Sequence, residues 1–154
     1  MYKKIMVPLD GSKLAECVLP HAEALAKWGR VQTIMFVRVV EPVKQPNVGE
    51  YVLSEQEIAK INAEQKAAAE KYLEQLKDLI HLGSIQTRWE VLMGKVDETL
   101  VDYANKNAVD LIIIATHGRS GVSRWIWGSV ADRVLRSACV PVLMIRGPGC
   151  VPGV

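Results

Sequence analysis

The chain has 154 residues, of which 49% are hydrophobic, and a formal net charge of +2. These values are typical of one globular domain whose core needs no disulfides, and they do not favour a nucleic-acid partner. No apolar run approaches the roughly 18 residues of a membrane-spanning helix, no secretory signal is seen, and the three cysteines (Cys17, Cys139 and Cys150) show no CxxC spacing. We therefore expect reduced thiols in a cytoplasmic protein that contacts neither membrane nor nucleic acid.

Hydrophobic periodicity predicts strands and helices in strict alternation. The strands are expected at Lys4–Pro8, Val31–Val40, Gln86–Met93, Leu111–Ala115 and Val140–Ile145. The helices fill the intervals and begin near Ser12, Ser54, Asp97 and Ser129. This alternation is typical of an α/β protein with a single doubly wound, five-stranded parallel sheet. The domain is expected to span residues 1–147, and the patternless tail 148–154 is expected to be flexible.

Local signals predict details of the helices. Pro20 lies inside the first helical pattern, so we expect either a kink or two abutting pieces there. In the second helix, Ser54 and Glu57 predict a capping box. Its apolar stripe is expected at Ile58, Ile61, Ala68, Tyr72, Leu76 and Leu79. The same periodicity places Trp28 on the apolar side of the first helix and Leu135 on that of the fourth.

The junction between the fourth strand and the fourth helix carries the strongest functional signal. Gly118 and Gly128 are separated by nine residues, and Ser129 follows at the expected helix start. Glycines let backbone N–H groups turn toward an anion, and the start of a helix favours the same anion through its free N–H groups and its dipole. His117 and Arg119 add donors and positive charge. The pattern indicates either a phosphate site or a plain connection whose glycines form turns.

This junction resembles that of the universal stress protein family, whose ATP-binding members carry G-x2-G-x9-G-(S/T) there. The last two glycines and the serine match, and Ala115 stands where the first glycine would be. If that position needs only close approach of the backbone, alanine fits; if it needs a positive φ, alanine is strained. The resemblance extends from IMVPLDGS near the start to PVLMIR near the end. It implies a Rossmann-like adenine-nucleotide-binding fold with strand order 3-2-1-4-5, and ATP, with or without Mg2+, as the ligand.

Asp10 follows the first strand, beside the switch point that this strand order implies. Its carboxylate could accept hydrogen bonds from ribose hydroxyls or an adenine amino group, or it could form an Asx turn beside Ser12. The resemblance implies the first role. The nucleotide-binding residues that the resemblance implies are Pro8, Leu9, Asp10, Val39, Met93, Gly94, Ala115, Thr116, His117, Gly118, Arg119, Gly128, Ser129 and Val130. By periodicity alone, Val39 and Met93 would be core residues.

The last predicted strand is apolar and uncharged. At a sheet edge such a strand is a template for pairing with another chain, and a second copy would close it about a two-fold axis. The resemblance implies a homodimer of the same kind. The interface residues are expected to be Val140, Val142, Leu143, Met144 and Ile145.

The expected function is that of a nucleotide-responsive, dimeric regulatory module in the stress response, with unknown protein clients. No catalytic or metal-ligating set is predicted, because the chain lacks GxxxxGK[ST], GxGxxG, HExxH and GxSxG. The first strand also ends in PLDGS rather than the SGGxDS of the ATP pyrophosphatases. Two alternatives stay open: an interaction module of the same fold that has lost nucleotide binding, and a slow ATP hydrolase. A flavodoxin-like FMN protein is a more distant alternative.

Overall fold

The structure, a computed structural model, describes residues 2–44, 53–80, 82–116 and 129–147. Within these ranges the strands are β1 (Lys4–Pro8), β2 (Thr33–Val40), β3 (Gln86–Met93), β4 (Leu111–Ala115) and β5 (Val142–Ile145). The helices are α1 (Leu19–Trp28), α2 (Glu55–Leu79), α3 (Val96–Lys106) and α4 (Ser129–Ser137), and a 3-10 turn at Ala15–Val18 precedes α1. None of these helices combines the length and the hydrophobicity that a membrane span requires. The predicted tail, 148–154, lies outside the described residues.

The five strands lie parallel in one sheet, in the order β3-β2-β1-β4-β5. The doubly wound α/β fold and the strand order 3-2-1-4-5 are thereby confirmed. The chain moves from β1 outward through β2 to β3, and then returns to the other side of β1 with β4. The direction of winding therefore reverses between β1 and β4, and in such sheets a crevice opens at the carboxyl ends of the two strands.

The central strands are buried on both faces of the sheet. In β1, Ile5 and Val7 belong to the core under α1 and α2, whereas Met6 belongs to the core under α3 and α4. All three side chains are fully buried, and each such burial contributes about 1.5–3 kcal/mol. A strand that is covered on both faces has no polar side, which explains the unbroken apolar runs in the sequence.

Two predicted local signals in the helices are confirmed. Pro20 is the second residue of α1, where the missing N–H is tolerated, so the 3-10 turn and α1 abut as expected. In the capping box, the Ser54 hydroxyl accepts from the Glu57 N–H at 3.2 Å, and the Glu57 carboxylate accepts from the Ser54 N–H at 2.8 Å. The bond from the Ser54 backbone lowers the pKa of Glu57, so the box is intact at neutral pH and weakens as the pH falls through that lowered value.

Three large hydrophobic side chains that helical periodicity placed inside are exposed, and these predictions were wrong. Trp28 is 87% exposed, Leu79 is 74% exposed and Leu135 is 41% exposed. Trp28 and Leu79 are the last residues of their helices, where the helix extends beyond the core. Leu135 follows the fully buried Val134 by one position, which turns it by about 100° around α4 and away from the sheet.

The bounds of two strands and the stripe of one helix also differ from the expectation. β2 begins two residues later than Val31, and β5 begins after Pro141, which has no N–H for the ladder but accepts from the Ile112 N–H at 3.0 Å through its carbonyl. The buried stripe of α2 contains Ala69, Leu73 and Leu76. Ala68, expected in that stripe, is exposed. The run 67–69 is alanine throughout, so periodicity does not tell which alanine faces the sheet.

The end of α3 holds a left-handed residue that is not glycine. Ala108 has a φ of 52° and follows the C-cap residue Asn107. The N–H of the next residue, Val109, donates to the carbonyl of Ala104 at 3.0 Å, a helix-ending pattern whose left-handed position favours glycine. For an L-residue with a side chain, this conformation costs roughly 1–2 kcal/mol.

We expect Ala108→Gly to raise the free energy of unfolding by about 1 kcal/mol, because glycine adopts this conformation without strain. The melting temperature should rise by roughly 2–4 °C. Ala67→Gly, at an exposed position in the middle of α2, is the matched control and should lower stability by about 1 kcal/mol, because glycine is the weaker helix former. Thermal and urea unfolding measure both changes, and a destabilised Ala108→Gly variant would contradict the argument.

Candidate functional site

A cavity of about 710 Å³ opens at the carboxyl edge of the sheet. Its volume lies within the roughly 300–1,000 Å³ that is usual for small-molecule sites. The ends of β1, β2 and β4 and the starts of α3 and α4 contribute most of its described wall. Because α2 contributes Gln65 and α4 contributes Ser129, the cavity reaches both helical layers. It thus occupies the crevice at which the winding of the sheet reverses.

Asp10 lies just beyond β1, is exposed and lines the cavity. Its Oδ1 atom accepts a hydrogen bond from the Ser12 N–H at 2.8 Å, which is an Asx turn. The Ser12 hydroxyl in turn accepts from the Ala15 N–H at 3.1 Å and begins the helical segment. The turn-forming role of Asp10 is therefore present in the structure. Among the described residues none donates to its other oxygen, Oδ2, which can still accept from a ligand.

The end of β4 forms the floor of the cavity at Ala115 and Thr116. Ala115 pairs with Ile145 in the ladder between β4 and β5. Within the described part of the chain, Ala108 is the non-glycine residue with a positive φ, so Ala115 adopts an ordinary strand conformation without strain. Thr116 is buried, and its N–H donates to the Ile145 carbonyl at 2.9 Å. Alanine at position 115 is thus compatible with the backbone that surrounds the cavity.

The start of α4 forms the wall of the cavity on the β4 side. Within the described residues α4 runs from Ser129, and Ser129, Val130 and Ala131 line the cavity. The first N–H groups of a helix have no partner within it, and the dipole places roughly half a positive charge at this end. Asp132, the acidic residue of the first turn, forms an ion pair with Arg136 at 2.9 Å, which offsets part of its charge. This wall suits an anion.

A cluster of polar side chains borders the cavity on the opposite side. The guanidinium of Arg38 lies over the ring of Tyr72, 5.0 Å from its centroid. The Tyr72 hydroxyl donates to Glu16 at 3.3 Å, and Glu16 also pairs with Lys13 at 2.9 Å. Burial, followed by the nearby Glu16 carboxylate, raises the pKa of Tyr72 well above its usual value. Tyr72 therefore stays neutral and keeps donating to Glu16 throughout the physiological range.

Glu41 is the second described carboxylate in the cavity wall. Its Oε1 atom accepts a hydrogen bond from the N–H of Val96, the first residue of α3, at 3.3 Å. The carboxylate therefore interacts favourably with the positive end of that helix. Like Asp10, Glu41 is engaged by a backbone N–H group near the start of a helical segment.

Comparison with known proteins agrees with this architecture. A model of the Universal stress protein family matches residues 1–146, nearly the whole chain. The chain belongs to the universal stress protein family.

Individual universal stress proteins show how far the similarity extends. One from Methanocaldococcus jannaschii is 32% identical over 150 residues, which cover 96% of this chain and 84% of that protein. The solved structure of UspA from Lactobacillus plantarum has a TM-score of 0.79 at 22% identity and covers 94% of this chain and 98% of that one. A family member from Arabidopsis thaliana, solved with AMP bound, has a TM-score of 0.63 at 16% identity, with 96% and 93% of the two chains covered. At these identities the two structures support the shared fold.

Most of the described residues that the family resemblance implies come together at the cavity. Those that line it are Pro8, Leu9, Asp10, Val39, Ala115, Thr116, Ser129 and Val130. Met93 and Gly94 are not among its described lining residues. They lie at the carboxyl end of β3, an edge strand that is two places from β1 in the sheet. Gly94 instead turns the chain into α3, with its N–H donating to the Val40 carbonyl at 3.0 Å. The predicted residues outside the described ranges are His117, Gly118, Arg119 and Gly128.

Sequence reasoning missed several residues of this universal stress protein cavity. They include Arg38, Val40, Glu41, Gln65, Val96 and Ile114. A signal for Arg38 was present, since a charged residue near the carboxyl end of an otherwise apolar parallel strand is unusual. No signal was available for Gln65, because its place in the wall depends on how α2 packs across the sheet.

Proposed function

We propose that this universal stress protein binds an adenine nucleotide, ATP with Mg2+ in the first instance, in the cavity at the carboxyl edge of its sheet. The observation that carries the proposal is that one cavity at the switch point is lined by Asp10, by Ala115 and by Ser129 at the start of a helix. The Arabidopsis thaliana relative with AMP bound supports adenine nucleotides as the ligand class. The thiols of Cys17 and Cys139 are free, which suits a cytoplasmic setting.

The proposed orientation follows from the charges of the two ends of the cavity. A phosphate group would bind at the start of α4, where the Ser129 hydroxyl, free N–H groups and the helix dipole converge. The nucleoside would extend toward β1 and β2. There Leu9 and Val39 offer apolar surface, and the Oδ2 atom of Asp10 can accept from a ribose hydroxyl.

The role we propose is regulatory rather than catalytic. The chain carries none of the nucleotide-processing motifs sought in its sequence, so we propose at most slow ATP hydrolysis. The rival reading, an interaction module that has lost nucleotide binding, rested on Ala115 in place of glycine. Since Ala115 lies in unstrained strand conformation, that replacement does not by itself argue against binding.

We expect saturating ATP with Mg2+ to stabilise the protein in thermal unfolding. At ligand a hundredfold above its Kd, binding adds about 2.7 kcal/mol, which corresponds to a shift of roughly 5–10 °C for a domain of this size. Ala115→Val should reduce the shift, because its added methyl groups fill space at the cavity floor while a β-branched residue still suits β4. Ala115→Gly should leave the ATP-induced shift in melting temperature unchanged. If ATP, ADP and AMP all leave the melting temperature of the wild-type protein unchanged, the proposal is wrong.

We expect Asp10→Ala to weaken ATP binding by about ten- to a hundredfold, the usual effect of losing a charge-assisted hydrogen bond. Asp10→Asn is the matched control, because its amide oxygen can still accept from the Ser12 N–H while the negative charge is lost. Calorimetric titration measures both. If only Asp10→Ala loses affinity, the Asx turn is the cause; unchanged affinity in both variants would leave Asp10 with its turn-forming role alone.

We further propose that the protein is a homodimer that pairs through β5. The two edges of the sheet differ in chemistry: β3 carries Arg88 and Glu90, whereas β5 has the uncharged sequence VLMI. Charged side chains protect an edge from pairing, and apolar ones do not. Leu143 is 38% exposed on β5. Val140 precedes the strand and is partly buried, so it would lie at the rim of such an interface.

Leu143→Lys should convert the dimer to a monomer, since a second copy would place two ammonium groups close together across the axis. Leu135→Lys on α4 is the matched control, because Leu135 is exposed to a similar extent, 41% against 38%, but belongs to a helix and not to the strand that would pair. Light scattering at several concentrations gives the mass of each variant. A wild type that is already monomeric at high concentration would exclude the dimer.

A further inference from the structure

Arg38 is a cavity residue for which the proposed orientation has no role. It lies near the carboxyl end of β2 and lines the cavity. Its side chain is on the α1 and α2 side of the sheet, where it contacts Tyr72 of α2. It is also partly buried, so its charge is not fully solvated by bulk water.

The guanidinium of Arg38 lies close to two neighbours. Tyr72 covers one side, with the ring centroid 5.0 Å from Cζ. Gly11 covers another: a side chain there would place its Cβ 3.0 Å from both Cζ and Nη1 and 3.1 Å from Nη2. Near-equal distances to these three atoms mean that Gly11 faces the flat side of the group rather than its rim. Gly11 also has a φ of 85°, which suits glycine, so this close approach depends on it.

The hydrogen-bond donors of Arg38 remain unused within the described part of the chain. Its N–H groups lie in the guanidinium plane, so the approach of Gly11 to the flat side does not occupy them. No described residue accepts a hydrogen bond from Arg38 or forms an ion pair with it. A planar fork of donors that is held in place and lacks an acceptor is well suited to the paired oxygens of a phosphate.

This donor set is separate from the start of α4. Arg38 contacts α2 on one face of the sheet, whereas α4 packs with α3 on the other face through Ala131 and Val134. β2 and β4 also lie on opposite sides of β1, so their ends are about 10 Å apart. The cavity therefore presents two anion-binding points, one on each side of the sheet edge.

We infer that Arg38 binds a second phosphate group of the ligand, distinct from the phosphate at the start of α4. This inference rests on the proposed nucleotide binding and narrows the ligand class to adenine nucleotides with more than one phosphate. The second phosphate can belong to either of two positions on the nucleotide. In the orientation proposed above, where the nucleoside extends toward β2, it is a phosphate on the ribose. In a reversed orientation, where the phosphate chain spans the sheet edge, it is the terminal phosphate of ATP.

The experiment compares three probes in calorimetric titration: AMP, ATP and adenosine 3′,5′-bisphosphate. Arg38→Gln should lower the affinity for ATP, for the bisphosphate or for both by about ten- to a hundredfold, the usual loss for a charge-assisted phosphate contact. The affinity for AMP should change by less than about threefold, because its single phosphate binds at the start of α4. Arg88→Gln is the matched control: it removes the same charge from an exposed side chain of β3, away from the cavity lining, and should leave the affinity for all three probes unchanged.

The pattern across the probes decides the inference. A selective loss for ATP assigns Arg38 to the terminal phosphate, and a selective loss for the bisphosphate assigns it to the ribose phosphate. An equal loss for AMP, or no loss for any probe, overturns the inference. If the wild-type protein binds all three probes equally well, the inference about Arg38 is wrong and the proposed nucleotide binding stands. If the wild-type protein binds none of them, both are wrong. Arg38→Lys keeps the charge without the fork and should show the same selectivity with a smaller loss, which keeps the test valid if Arg38→Gln does not fold.

Discussion

Burial of the two central strands on both faces is the constraint on which the rest of the structure depends. β1 and β4 are neighbours, and their side chains alternate between two separate cores. Each core needs its own helical layer, so the chain leaves β1 toward one face and β4 toward the other. The crevice between the two strand ends follows from this divergence. The cavity is therefore a consequence of how the cores are covered, and its position would be the same for many different lining residues.

The sequence predicted the elements more closely than their arrangement. β3 and β4 begin and end where periodicity placed them, since their patterns are bounded by clear turn and helix signals. Strand order came from the family resemblance, because periodicity tells which side chains are buried but not which strands are neighbours. In the site, Asp10 and Ser129 could be found because each follows a strand or starts a helix, which are local features. Arg38 and Gln65 reach the cavity through tertiary packing.

The electrostatics of the cavity explain how it can favour an anion although two carboxylates line it. Asp10 accepts from the Ser12 N–H, and Glu41 accepts from the Val96 N–H at the first turn of α3. Both negative charges are thus partly offset by backbone dipoles near helix starts. Arg38, the described cation of the wall, has no comparable partner. Its hydrogen-bond donors therefore remain available to an anion, although carboxylates outnumber cations in the described wall.

The hydrogen bond from the Thr116 N–H to the Ile145 carbonyl has a thermodynamic consequence. It joins the floor of the cavity directly to β5, the outer strand of the sheet. The proposed ligand site and the proposed dimer edge therefore share this structural connection. Linkage then requires reciprocity: whatever factor the ligand applies to association of two chains, association applies to the affinity for the ligand. In the proposed nucleotide-binding homodimer, protein concentration would then act as an effector of nucleotide affinity.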